Sequence, residues 1–177
     1  PRYGSSAASD VYKRQEYAEG CHRVQHSGIH HHHEELWHLE AWKWIAINMR
    51  DAWVIKHEGE VIGYFAGMVQ FVNEPEDEHY GEGLGFFGAD ICLDMDPERK
   101  YPDAMNQLFA HICDIHPYIT GYCSETNQAL INFTDKWGFD RWKTNPDSNL
   151  LYCRNYTDNP KAQTLRDKHR INYENIT

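Results

Sequence analysis

The chain has 177 residues, 41% of them apolar, and carries a formal charge of −10 at pH 7 from 27 acidic and 17 basic side chains. That length closes a hydrophobic core without disulfide or metal staples. The acidic excess argues against nonspecific nucleic-acid binding, which needs clustered Lys and Arg to neutralise phosphates.

The five cysteines are odd in number, contain no Cys-x-x-Cys pair and fall partly inside apolar runs, as free thiols packed as small hydrophobes do. They point to a reducing, cytoplasmic compartment. The longest apolar run, Val61 to Val72, is interrupted by Gln70 and falls short of the ~20 residues of a spanning helix.

At the start, Ser5 to Gln15 resembles translated adapter sequence from the ends of metagenomic reading frames. Residues 1–15 are therefore expected to be disordered and outside the fold, with the natural N-terminus and its strand missing. A single domain is expected over 16–157.

Leu36, Leu39, Ala41, Trp42, Ile45, Ala46 and Met49 recur at helical intervals and predict an amphipathic helix. The histidines at 26, 30–33 and 38 invite comparison with the zinc helix His-Glu-x-x-His. His33 to His38 has one residue too many to place two imidazoles on one face, so no metal is expected.

Trp53–His57 and Val61–Val72 flank Glu58-Gly59-Glu60, the chemistry of a β-hairpin. The acidic run Glu74 to Glu78 is read as a solvated loop. Phe86 to Met95 alternates as a strand, with Phe87, Ala89, Ile91, Leu93 and Met95 on an apolar face and Asp90, Cys92 and Asp94 on the other.

From Pro102, the positions Ala104, Met105, Leu108, Phe109 and Ile112 mark a second amphipathic helix. Tyr118–Cys123 is the next strand. Ala129, Leu130, Phe133 and Trp137 then share a helical face that stops on Gly138, where a left-handed residue ends a helix. Phe139–Lys143 and Leu150–Cys153 close the domain as a hairpin, and a polar tail is expected over 158–177. Alternating helices and strands with hairpins at both ends predict an α/β fold with a mixed sheet covered by helices.

The segment from Asn127 to Phe139 resembles the last helix of the GCN5-related N-acetyltransferase (GNAT) superfamily, with Asn127, Lys136, Gly138 and Phe139 matching in one register and Thr134 where the family carries a tyrosine. The order of elements from Trp53 to Tyr152 is also that of the family after its first strand. The resemblance implies a GNAT-like acyl-CoA N-acyltransferase fold: a central twisted, mostly antiparallel sheet with helices on both faces. It further implies acetyl-CoA as cofactor and an amine acceptor that attacks directly in a ternary complex.

By the same resemblance, pantetheine would enter a splay between Leu93–Met95 and Thr120–Cys123. The implied cofactor contacts are Leu93, Met95, Lys100, Tyr101, Ala104 and Asn127, and the candidate catalytic groups are Asp90, Asp94 and Tyr122. The family's phosphate-binding turn, Arg/Gln-x-x-Gly-x-Gly/Ala, aligns with Lys100, Asp103 and Met105, or one residue earlier with Arg99, Pro102 and Ala104. Its glycines are absent in both registers. The alternative implied is a catalytically inactive member of the fold, such as the acetyltransferase-like internal virion proteins of short-tailed phages.

Overall fold

A computed structural model describes residues 7–26, 38–48, 52–93 and 103–170. In chain order its elements are α1 (Ala7–Gln25), α2 (Leu39–Asn48), β1 (Ala52–His57), β2 (Glu60–Phe71), β3 (Gly83–Leu93), α3 (Ala104–Ile115), β4 (Tyr118–Ser124), α4 (Gln128–Trp137), β5 (Asp140–Trp142), β6 (Leu150–Tyr156) and α5 (Pro160–His169). The strands form one sheet in the order β1-β2-β3-β4-β6-β5. Contacts divide the chain into two compact units, one of Pro1–Gly67 with Asp90–Lys100, the other of Met68–Ala89 with Tyr101–Thr177.

In the first unit, Glu58 (φ 50°) and Gly59 (φ 88°) supply the left-handed backbone of the β1–β2 turn. Ala18, Cys21 and Val24 form one face of α1 and pack with Trp42, Ile45, Val61, Tyr64, Ala66 and Cys92 into the core. A Cβ on Gly20 would come within 2.6 Å of Val61, so glycine is what lets α1 approach β2 this closely. Helix α1 already runs from Ala7, inside the stretch expected to be disordered. The predicted helix from Leu36 is realised as α2 from Leu39.

In the second unit, Phe109 of α3 meets Trp137 and Phe133 of α4 edge-on, at 4.7 and 5.2 Å between ring centroids. Trp137 is fully buried and its indole N–H donates to Asn106 Oδ1 at 3.2 Å. The expected start and stop of α4 are both present: Asn127 Oδ1 accepts the Leu130 N–H at 3.0 Å, and Gly138 sits at φ 80°. Ala129, expected on the buried face, is exposed, and Thr134 is buried in its stead.

Within the segment expected as a polar tail, Pro160 opens α5 behind an Asn159 cap on the Ala162 N–H. The helix is anchored by fully buried Ala162 and by Arg166 and Arg170, which hold Asp114 of α3 at 2.6 and 3.1 Å. Its buried side chains are Ala162 and His169, and two cations pair it to α3, which hydropathy does not register.

The strand β3 differs from its expected orientation. Asp90 and Cys92 are buried at 8% and 2% exposure, while Phe87, Ile91 and Leu93 are only half-buried. The face read as polar is the covered one, because neighbouring elements supply hydrogen-bond partners for its carboxylate.

Candidate functional site

The β4–β6 ladder is antiparallel and seven pairs long, opposing Tyr118 to Tyr156, Thr120 to Arg154 and Tyr122 to Tyr152. Side chains two apart on a strand share a face, so these six residues form a single phenol-rich surface with one guanidinium. The acidic loop after β2 is held against it. Asp77 is buried and its Oδ2 accepts hydroxyl hydrogen bonds from Tyr118 and, at 3.0 Å, from Tyr152. Its Oδ1 accepts the His79 N–H at 2.9 Å and lies 3.7 Å from Arg154.

Glu74 is also buried, at 7% exposure, and accepts from the Tyr122 hydroxyl at 3.2 Å. Reading 74–78 as a solvated loop is thereby corrected for these two carboxylates: the tyrosines opposite replace the water they lose. Nothing adjacent in the sequence marks these two carboxylates as buried. The signal was there in Tyr118-x-Thr120-x-Tyr122 and Tyr152-x-Arg154-x-Tyr156, two strand-period polar faces lying far along the chain from a carboxylate cluster.

Electrostatics follow from this packing. Burial and the Glu74 charge push the Tyr122 hydroxyl upward, so it keeps its proton through the neutral range. Burial followed by the Asp77 bonds does the same for Tyr118 and Tyr152. Burial alone would raise the Asp77 carboxyl, but the Tyr118, His79 and Tyr152 hydrogen bonds and the Arg154 charge outweigh it and hold Asp77 below its ordinary value.

Among the described residues, the parallel β3–β4 pairing covers Phe86–Gly88 against Ile119–Gly121. On its other edge β4 stays paired with β6 through Ser124. The backbone of Tyr122, Cys123 and Ser124 is thus engaged toward β6, beyond the last described pair with β3. At that pair a Cβ on Gly121 would meet the Gly88 carbonyl at 3.0 Å, so close parallel approach depends on glycine. The strand leads through Glu125 and Thr126 directly to the Asn127 cap of α4.

Thr134 stands where the resemblance expects a tyrosine. Its hydroxyl donates to the Ile131 carbonyl at 2.9 Å and accepts from Arg141 at 2.5 Å.

In the first unit, Asp90 Oδ2 accepts from Tyr64 at 2.6 Å and from the Gln25 amide at 2.7 Å, while Gln25 Oε1 accepts from the Trp42 indole at 3.1 Å. This chain of bonds ties α1, α2 and β2 to the strand end. Burial, then the Asp90 charge, pushes the Tyr64 hydroxyl far up and the Cys21 thiol up to about 12.

Of the residues singled out from the sequence, Tyr122, Asn127 and Ala104, the first residue of α3, belong to the second unit. Asp90 and Leu93 stand on β3 in the first. Asp94, Met95, Lys100 and Tyr101 lie outside the described residues, as do His30–His33 and Trp37. Trp42 is a core residue, as expected, and Trp44 is exposed at 59%.

No protein-family model matches the chain, and no curated protein sequence does. Solved structures do. An acetyltransferase from Thermus thermophilus aligns with TM-score 0.59 and 16% identity over 80% of this chain and 91% of that one. A GNAT-family acetyltransferase from Bacillus cereus ATCC 10987 gives 0.52 and 11% over 77% and 87%. Diaminobutyrate acetyltransferase from Paenibacillus lautus, solved with L-2,4-diaminobutyric acid and coenzyme A, gives 0.52 and 10% over 82% and 90%. The chain has the GNAT fold.

Proposed function

We propose that this protein is an acetyl-CoA-dependent N-acetyltransferase acting on an amine by direct attack in a ternary complex. The observation that carries the reading is the GNAT fold itself, with α4 capped by Asn127 and ended by a left-handed Gly138 as the resemblance implies. Backbone amides on a strand edge are donors that a thioester or pantetheine amide can use.

Acetyl-CoA would supply the acetyl group as an activated thioester. Asn127 fits the cofactor arm because its Oδ1 is committed to the α4 cap while its side-chain N–H groups are donors that a pantetheine carbonyl can use. Ala104 is the first residue of α3, where a helix's first backbone N–H groups can take a phosphate, and the Asp103 side chain makes no cap bond there. Tyr122 is the proposed acid for the departing thiolate, being 38% exposed and holding its proton against Glu74. The base remains with the strand aspartates Asp90 and Asp94 or with water. For Asp90 the bonds to Tyr64 and Gln25 are a sufficient structural reason to be present. The five free, buried thiols fit a reducing compartment, and no described helix is long and apolar enough to cross a membrane.

One observation favours the non-catalytic alternative: Thr134 and Asp90 are both consumed by internal hydrogen bonds. Calorimetric titration with acetyl-CoA, followed by a thiol-release assay over a panel of small amines, separates the two. Binding with amine-dependent release of free thiol supports the enzyme. Silence at millimolar acetyl-CoA leaves the fold as a scaffold.

A further inference from the structure

Two of the five free thiols share one place in the sheet. Cys123 stands on β4 and Cys153 on β6, both in the second unit, and their sulfurs lie 3.3 Å apart although 30 residues separate them along the chain. The β4–β6 register accounts for the contact. Cys153 is opposite Gly121 and Cys123 is opposite Leu151, so the cysteines form a diagonal pair on one face of the sheet. Gly121 presents no side chain to Cys153, whose thiol leans along the diagonal to Cys123.

The two thiols are chemically unlike. On the other side of β6, Arg141 of β5 stands opposite Cys153. The hydrogen bond from Cys153, aided by the Arg141 charge, draws the Cys123 thiol below its ordinary value against the opposing effect of burial. That same bond, and then burial, pushes Cys153 upward. Cys123 is therefore suited to act as thiolate nucleophile, with a protonated thiol in contact to resolve what it forms. Elsewhere, burial pushes Cys21 and Cys113 up to about 12, which leaves them inert.

Both members of the pair are 3% exposed. Cys123 nevertheless lies one residue from the end of the ladder, where Ser124 pairs with exposed Leu150. Strand ends open locally at far less cost than the whole fold, which gives a small oxidant a route to the sulfur.

We propose that Cys123 and Cys153 are a reversible redox pair that a peroxide converts to a cross-strand disulfide. The Cys123 thiolate attacks a peroxide oxygen, the O–O bond breaks, and sulfenic acid forms as hydroxide departs. Cys153 then attacks that sulfur: the S–S bond forms, the S–O bond breaks, and the Cys153 proton leaves with the hydroxide as water. Two thiols are oxidised and one hydrogen peroxide is reduced to two waters. The sulfurs need only about 1 Å of further approach. Successive strand residues face opposite ways, so the pair points away from Tyr122 and has no part in the acetyl transfer proposed above.

The probe is hydrogen peroxide on the reduced full chain, with remaining thiols alkylated under denaturing conditions and the products mapped by mass spectrometry. The chain is expected to lose two hydrogens and to yield one cross-linked peptide joining Cys123 to Cys153, both reversed by dithiothreitol. In urea the pairing should scatter over all the cysteines, because the fold supplies the preference. Cys153→Ser should accumulate a sulfenic acid at Cys123 that dimedone captures, and Cys123→Ser should react several-fold more slowly than wild type. Thermal melts establish that each variant is folded, and the wild-type peptide map decides the matter where one is not. Thiols that stay free in excess peroxide, a cross-link between other cysteines, or an unchanged preference in urea would overturn the proposal. So would dimedone capture at Cys153 in Cys123→Ser at the wild-type rate.

Discussion

Arg141 donates one guanidinium N–H to Thr134 Oγ1 at 2.5 Å and, through its other nitrogen, pairs with Asp135 at 2.6 Å. A strand residue therefore clamps α4 at the position where the family carries a tyrosine. Thr134→Val keeps the shape and removes the acceptor, and is expected to destabilise the fold by about 1–2 kcal/mol. Urea unfolding measures this. Acetyl transfer per folded molecule should not change, and a selective loss of turnover in this variant would return Thr134 to the chemistry.

Asp90 separates a structural hub from a general base. Asp90→Asn keeps an acceptor for one of the Tyr64 and Gln25 donors but loses the charge, and Tyr64→Phe removes one donor outright. Each is expected to cost about 1–3 kcal/mol, with strong non-additivity in the double variant because the groups share a network. If Asp90 instead serves as base, turnover falls in Asp90→Asn with a displaced pH–rate profile while Tyr64→Phe retains it.

Asp77 sets an acid limit on stability. Its folded-state carboxyl is depressed, so it stabilises the protein above its unfolded value of about 3.9 and loses that contribution as pH falls through the folded value. Asp114, depressed by Arg166 and Arg170 against the opposing effect of burial, adds in the same direction. Asp77→Asn is expected to lower stability by about 1–3 kcal/mol at neutral pH. The difference from wild type should shrink below about pH 4. Denaturant titrations at neutral and acid pH provide the check. A gap that stays constant would assign the loss to packing.

Gly138 carries two independent constraints. Its φ of 80° is costly for any residue with a Cβ, and that atom would sit 2.5 Å from Asn159 Oδ1, the cap of α5. Gly138→Ala should cost about 1–2 kcal/mol for the left-handed conformation alone, and more if the α5 cap is displaced. Hydrogen exchange should show the loss first at the start of α5. A loss confined to α4 would rule out the coupling.

What lay open in the sequence was local. The hairpin around Glu58-Gly59, the helix from Ala104 and the Asn127-to-Gly138 helix with both its caps depend on hydrogen bonds and dihedrals spanning a few residues, so periodicity and end chemistry reveal them. The resemblance carried by Asn127, Lys136, Gly138 and Phe139 led from there to the fold.

Tertiary structure decided which polar groups are inside. Nothing adjacent to Asp77 in the chain predicts that Tyr118 and Tyr152 will take its hydrogen bonds, nor does the neighbourhood of Asp90 foretell Gln25 and Tyr64. A carboxylate surrounded by charges reads as solvated because, locally, water is its only available partner. Burial becomes tolerable only when donors from distant strands and helices replace that water, and the sheet order brings them there.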